Sequence, residues 1–245
     1  MMALTDPQAV VSTSGQQLTL DVACNPPLTD QVFIEAPVNV SAKRLLTRWR
    51  EDLASDGSQG ILLAGPPASG KSFLLTQVFR DQPALWISAD QLEKTLARNI
   101  THTLLIVDNA EYAGDPLLLT RLIDVCRERS VSFVIAGSGK PEQWAQTPTG
   151  TIKDLVTRLT ALPVAMLDSP DQELMKRVLL NWMAARQLKL SDDLADHISN
   201  RLKRSFSALT IFTERLDAEA LERNKSIDRP LIQTVLSALK EHTLS

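Results

Sequence analysis

Eight consecutive residues carry the most specific chemistry in the chain. Gly65-Pro66-Pro67-Ala68-Ser69-Gly70-Lys71-Ser72 satisfies the pattern G-x-x-x-x-G-K-[ST] in full. A glycine-rich turn of this length points successive backbone N–H groups at phosphate oxygens, and a helix opening directly after it adds the positive end of its dipole. The ammonium of Lys71 is spaced to reach the β- and γ-phosphates of a nucleotide, and the hydroxyl of Ser72 to ligate Mg²⁺. The expected ligand is ADP or ATP with Mg²⁺. A glycine turn packed without ligand is the competing reading. The apolar run before the loop and the helical pattern after it favour phosphate binding.

Leu104-Leu105-Ile106-Val107-Asp108 supplies the second half of such a site. A buried strand there delivers Asp108 to its C-terminal end, where the carboxylate can hold Mg²⁺ through water. The next residue bears on mechanism. ATPases of this kind usually place a second acid directly after the metal-binding Asp, to polarise the attacking water. Here that residue is Asn109, which cannot accept a proton, and Glu111 lies two residues further on. Weak or absent hydrolysis by the chain alone is expected.

These residues need a sheet and helices to hold them. Ile61 to Ala64, Ala84 to Ile87, Thr103 to Val107, Ser132 to Ala136 and Val164 to Leu167 are short apolar runs. Runs of this kind, alternating with helical patterns, imply an α/β fold with a parallel five-stranded sheet. Helices are expected from Lys71 to about Arg80 and from near Pro116 to Arg129. An earlier one is expected to start with Ser41 as its cap and to carry Leu45, Leu46, Trp49 and Leu53, with Asp56-Gly57-Ser58 closing it. After Asp168 no strand pattern remains. Ser169-Pro170 before Gln172 reads as a helix start, and Leu174, Val178 and Trp182 as its apolar face. Ser191 opens a second helix with Leu194, Ile198 and Leu202. Phe206, Leu209, Phe212 and Leu216 mark a third, and Leu231, Val235 and Leu239 a fourth. These stripes read as an all-helical core. The expected organisation is a polar tail over residues 1–30, a nucleotide-binding domain over 31–168 and a helical domain over 169–245.

Composition narrows the function classes. The net charge of −3 is not that of a strong nucleic-acid binder. Cys24 and Cys126 lack metal-ligand spacing and read as reduced thiols. His102, His197 and His242 stand without partners at metal spacing, and Trp49, Trp86, Trp144 and Trp182 read as packing. Arg201, Lys203 and Arg204 read as a solvated helix face. With no signal segment and no apolar run long enough to span a bilayer, the expected location is cytoplasmic.

A phosphate-loop sheet followed by helices resembles an AAA+ module. Within that group the details resemble the DnaA-related proteins, in particular the Hda-like regulators that inactivate the DnaA replication initiator. The resemblance runs from about Gln17 to Leu239. Phe33-Ile34-Glu35-Ala36-Pro37-Val38-Asn39 is similar to the family segment that lies against adenine, which implies cofactor contacts for Phe33 and Pro37. Asp154-Leu155-Val156-Thr157-Arg158-Leu159 is similar to D-L-x-S-R-L. In that motif Arg158 corresponds to an arginine finger acting in trans on a neighbour's nucleotide, a device worth about 10³–10⁵ in rate. Gln17-Leu18-Thr19-Leu20-Asp21-Val22 resembles the Q-L-x-L-P-L motif that binds the sliding clamp. Gln17 would hydrogen-bond a pocket while Leu18 and Leu20 fill an apolar groove; Asp21-Val22 replaces the usual Pro-Leu. Ser138 corresponds to the first polar sensor. Where the family carries a phosphate-touching lid arginine, this chain has Ser207, with Arg204 one turn earlier as the available substitute.

The resemblance implies a nucleotide-binding regulator that, with the DNA polymerase sliding clamp (beta subunit), promotes ATP hydrolysis by DnaA and represses re-initiation of chromosomal replication. The alternative is a self-sufficient AAA+ ATPase acting as a helicase loader or remodelling factor; a pure adaptor stiffened by nucleotide is a third reading. The implied partners are DnaA and the clamp, and a homodimer is compatible with the pattern. The chain stops after the helical lid, so the helix-turn-helix domain by which initiators read origins is not expected, nor is sequence-specific DNA binding.

Overall fold

The computed structural model describes residues 32–53, 60–98, 100–147, 150–223 and 227–241. The tail motif at Gln17, Leu18 and Leu20, together with Cys24, Asp56-Gly57-Ser58 and His242, lies outside the described residues.

Five parallel strands, β1 (Gly60–Gly65), β2 (Ala84–Ser88), β3 (Leu104–Asp108), β4 (Ser132–Ser138) and β5 (Val164–Met166), lie in the order β2-β3-β4-β1-β5. The register pairs Gly65 with Ser138 and Val107 with Ile135, so the C-terminal ends of β1, β3 and β4 emerge together at one edge. Side chains alternate across the sheet because the strand period is two. Ile61, Leu63, Ile106, Val134 and Ala136 pack on one face against α1 (Pro37–Asp52) and α2 (Lys71–Phe79). Leu62, Ala64, Leu105, Val107 and Ile135 pack on the other against α3 (Leu92–Leu96), α4 (Leu117–Glu128) and α5 (Lys153–Thr160). The central strands read as unbroken apolar runs because they are buried on both faces.

The remaining helices, α6 (Gln172–Ala185), α7 (Asp192–Ser199), α8 (Phe206–Arg223) and α9 (Arg229–Glu241), enclose a core of their own built on Met175, Leu179, Ile198, Phe212, Leu216 and Val235. Lys176 ties α6 to α7 through Asp192 (2.7 Å) and Asp196 (2.8 Å). No helix among the described residues is long and apolar enough to cross a membrane.

Two helix starts differ from expectation. α1 begins at Pro37, four residues ahead of Ser41. Proline is pre-set for the first helical position, and the Asn39 side chain, inside the first turn, reaches back to accept from the Ala36 N–H at 2.9 Å, while Ser41 lies within the helix. The buried face of α1 is accordingly Asn39, Ala42, Leu46 and Trp49, with Leu45 exposed. α6 is capped by Asp171, whose carboxylate accepts from the Leu174 N–H at 2.8 Å, and Ser169 and Pro170 precede the helix. The short α3, and a two-stranded ribbon of Gln146–Thr147 with Gly150–Thr151, have too few residues to show a period in the sequence.

Candidate nucleotide site

The loop after β1 reverses direction in a confined space. A Cβ on Gly65 would meet the Leu167 carbonyl oxygen at 2.2 Å, so only glycine fits. Ala68 (φ 55) and Gly70 (φ 95) adopt left-handed backbone, which turns the chain into α2. Lys71 then points back under the loop and is only 7% exposed. Its ammonium donates to the carbonyls of Gly65 (3.2 Å) and Pro66 (2.7 Å) and to the Ser138 hydroxyl (3.2 Å). Burial holds the amine below the ordinary lysine value, opposed by the nearby carboxylates of Glu111 and Asp108. A desolvated cation resting on neutral oxygens gains from an arriving polyphosphate, whose charge restores what burial removed.

β3 delivers Asp108 to the same edge. The Ser72 hydroxyl donates to Asp108 Oδ2 at 2.5 Å, and the N–H of Asn109, itself left-handed at φ 59, donates to Oδ1 at 2.9 Å. Two hard oxygen donors side by side fit Mg²⁺, which takes one or two protein oxygens and completes its shell with water and phosphate. Among the described residues no cluster of three or more His, Cys, Asp or Glu could hold a metal by itself. Glu111 lines the same cavity, and its Oε2 accepts from the Ser138 N–H at 2.8 Å. The Ser138 carbonyl in turn accepts from Trp144 Nε1 at 2.7 Å. The sensor-position serine thus has all three of its polar groups fixed.

The cavity, of about 710 Å³, lies between the loop, the segment before α1 and the inner sides of α6 and α8. Phe33 and Ile34 form one wall; Phe33 stacks on Phe73 with centroids 5.9 Å apart, and Lys43 sits 4.8 Å above the Phe33 ring. Asn39 anchors this wall by donating to the Ile34 carbonyl at 3.0 Å. Pro37 is exposed at the start of α1 and does not line the cavity. Leu174, Val178, Asn181 and Trp182 of α6, with Phe206, Ser207 and Thr210 of α8, form the opposite wall. The stripe Leu174, Val178, Trp182, expected as helical core, lines the cavity, while Val178 and Trp182 also pack against the helical core as expected. The Phe206 N–H donates to the Ala68 carbonyl at 2.9 Å, joining α8 to the phosphate loop. Arg204 is exposed and outside the lining, where Ser207 stands instead. Asn181, Thr210 and Tyr112 also line the cavity, and no spacing in the sequence marks them.

Arg158 does not line its own chain's cavity. Its guanidinium forks between Asp154, one turn earlier on α5 (2.8 Å), and Asp124 on α4. Its hydrogen bonds to Asp154 and then Asp124 hold it still more firmly charged.

Residues 171–236 match the family model described as Hda, lid domain. No curated protein sequence matches the chain. Domain III of the Thermotoga maritima replication initiation protein DnaA superposes with a TM-score of 0.69 at 16% identity, over 84% of this chain and 94% of that one. A replication initiator DnaA bound to AMPPCP and single-stranded DNA gives 0.60 at 16%, over 78% and 66%. The Thermotoga maritima RuvB Holliday junction branch migration motor gives 0.61 at 16%, over 83% and 72%. At such identities the solved structures establish the fold, and the lid match supplies what is particular to this chain. The chain thus joins a lid that matches the Hda lid-domain family to a sheet domain folded like domain III of DnaA.

Proposed function

We propose that the chain is a nucleotide-loaded cytoplasmic regulator that docks on the DNA polymerase sliding clamp, engages ATP-bound DnaA, promotes hydrolysis of DnaA's ATP and so represses re-initiation. The observation that carries this reading is the Hda lid match over residues 171–236, the stretch whose helices α6 and α8 wall the cavity. On this reading residues 31–168 and 169–245 act as two units with ADP or ATP and Mg²⁺ between them. Lys71 and the loop amides grip the phosphates, Ser72 and Asp108 hold the metal, and Ser138 orients Lys71. The absence of an acid at Asn109 and of a lid cation at Ser207 suits a ligand that is held, not turned over. Arg158, unused at its own cavity, is then the group offered in trans to stabilise charge on the phosphoryl group leaving DnaA's ATP. Gln17, Leu18 and Leu20 would dock on the clamp, and alone the chain would form a homodimer.

The test is a single-turnover assay on DnaA loaded with labelled ATP, with clamp on DNA and the chain added. Wild type should speed hydrolysis. Arg158→Ala should lose the effect while still binding Mg-ADP, and Gln17→Ala with Leu20→Ala should lose both the effect and recovery of clamp in a pull-down. Full stimulation by Arg158→Ala would sink the mechanism.

A second reading, a self-sufficient ATPase that loads or remodels a partner, draws on one observation: the Glu111 carboxylate lines the cavity and is held by Ser138. Robust turnover by the purified chain without partner would favour it.

A further inference from the structure

A second cleft, of about 480 Å³, lies at the sheet edge and shares no lining residue with the nucleotide cavity. One wall is three consecutive residues of β2, Leu85, Trp86 and Ile87; α3 and the chain after it bring Lys94 and Arg98, and His102 lies ahead of β3. β2 is the outermost strand and pairs only with β3. Among the described residues no backbone hydrogen bond reaches its outer side. An open edge is a template for an added strand, and proteins usually blunt it with charge, proline or a bulge. The β2 sequence ALWIS has neither charge nor proline, and Trp86 is 40% exposed.

The electrostatics of the cleft are one-sided. No Asp or Glu lines it, and among the described residues the side chains of Lys94, Arg98 and His102 have no hydrogen-bond or ion-pair partner. Leu85 and Ile87 turn toward the α3–α4 face with Leu92, so Trp86 turns to the opposite face. We propose that this cleft binds an extended acidic segment of a partner protein, which adds to β2 as a sixth strand. Residues on its α3 face would set carboxylates against Lys94, Arg98 and His102, and the alternate residues would cover Trp86 with apolar side chains. A peptide satisfies the unpaired N–H and C=O groups of the edge. A single nucleic-acid strand would leave them open, and one tryptophan makes a short stacking track.

The experiment uses the full chain and a fluorescein-labelled eight-residue peptide of alternating glutamate and valine, read by anisotropy. The peptide should bind, and its lysine–valine counterpart should not. Two alternately N-methylated versions should behave differently: only the one whose blocked amides face β2 should fail. Lys94→Glu with Arg98→Glu, both exposed positions, should weaken binding about tenfold, the worth of a few solvent-facing ion pairs. Unchanged Mg-ADP affinity of that variant would certify its fold. Absence of peptide binding overturns the proposal, as does equal binding by both N-methylated forms. Full affinity in the charge-reversed variant, or capture of oligothymidylate in preference to the peptide, overturns it too.

Discussion

Ser138 donates its backbone N–H to Glu111 Oε2 at 2.8 Å while its hydroxyl accepts from Lys71 at 3.2 Å. The end of β4 thereby couples the phosphate-gripping ammonium to Glu111, an acid of the same cavity two residues beyond Asn109. A carboxylate fixed by one oxygen keeps the other available to a water in the cavity.

Glu111→Gln preserves the hydrogen bond from Ser138 and removes the capacity to take a proton. Mg-ADP affinity should hold, and residual ATP hydrolysis should fall about 10²-fold, the usual worth of a positioned base. Calorimetry and single-turnover kinetics on the same preparation check this. Unaltered hydrolysis would confine Glu111 to holding Ser138.

Lys71 titrates below the ordinary lysine value because it is buried, and Glu111 and Asp108 oppose that fall. Between the lowered value and the ordinary one the unfolded chain binds more protons than the folded one, so nucleotide-free stability should rise with pH across that window. Bound polyphosphate favours the charged amine, so nucleotide affinity should run the other way and fall as pH rises through the lowered value. Thermal melts without ligand and calorimetric titrations with Mg-ADP across the alkaline range should give slopes of opposite sign. Lys71→Met should flatten both.

How much of this was legible in the sequence depends on how local each signal is. The Ser72–Asp108 contact spans 36 residues, yet each partner sits in its own short pattern, a loop motif and a strand ending in acid, so the pairing could be read in advance. The lid wall could not. Leu174, Val178 and Trp182 have the same spacing whether the stripe meets a core alone or a core and a cavity, and only the placement of α6 over the loop adds the cavity. The start of α1 was within reach, since Pro37 is itself a first-turn signal, but the polar cap at Ser41 competed with it. For Arg158 only the partner one turn away, Asp154, is visible along the chain. Asp124 is brought up from 34 residues off by the packing of α4 on α5.

That second partner makes a prediction. Asp124 and Asp154 are 44% and 60% exposed, so each pair contributes about 1 kcal/mol or less. On the proposed reading Arg158 must leave at least one of them to reach a neighbour's phosphate. Asp124→Asn should leave the melting temperature nearly unchanged and raise stimulation of DnaA hydrolysis. A drop in stimulation would instead identify Asp124 as the support that keeps the guanidinium within reach.

The contact between lid and loop can be tested by strain and relief. Gly70 holds φ at +95°, and a Cβ added there would lie 3.1 Å from the Phe206 ring. Gly70→Ala therefore imposes left-handed backbone on an L-residue, at about 1–2 kcal/mol, and pushes on the first residue of α8. Mg-ADP affinity should fall about five- to thirtyfold, which is that strain expressed as binding. Phe206→Ala in the same chain removes the ring but keeps the N–H that bonds Ala68, so it should recover the steric part and leave the backbone part. The cycle should be non-additive, as expected of residues in contact. A double variant no better than Gly70→Ala alone would locate the whole cost in the loop and remove Phe206 from the closing of the cavity.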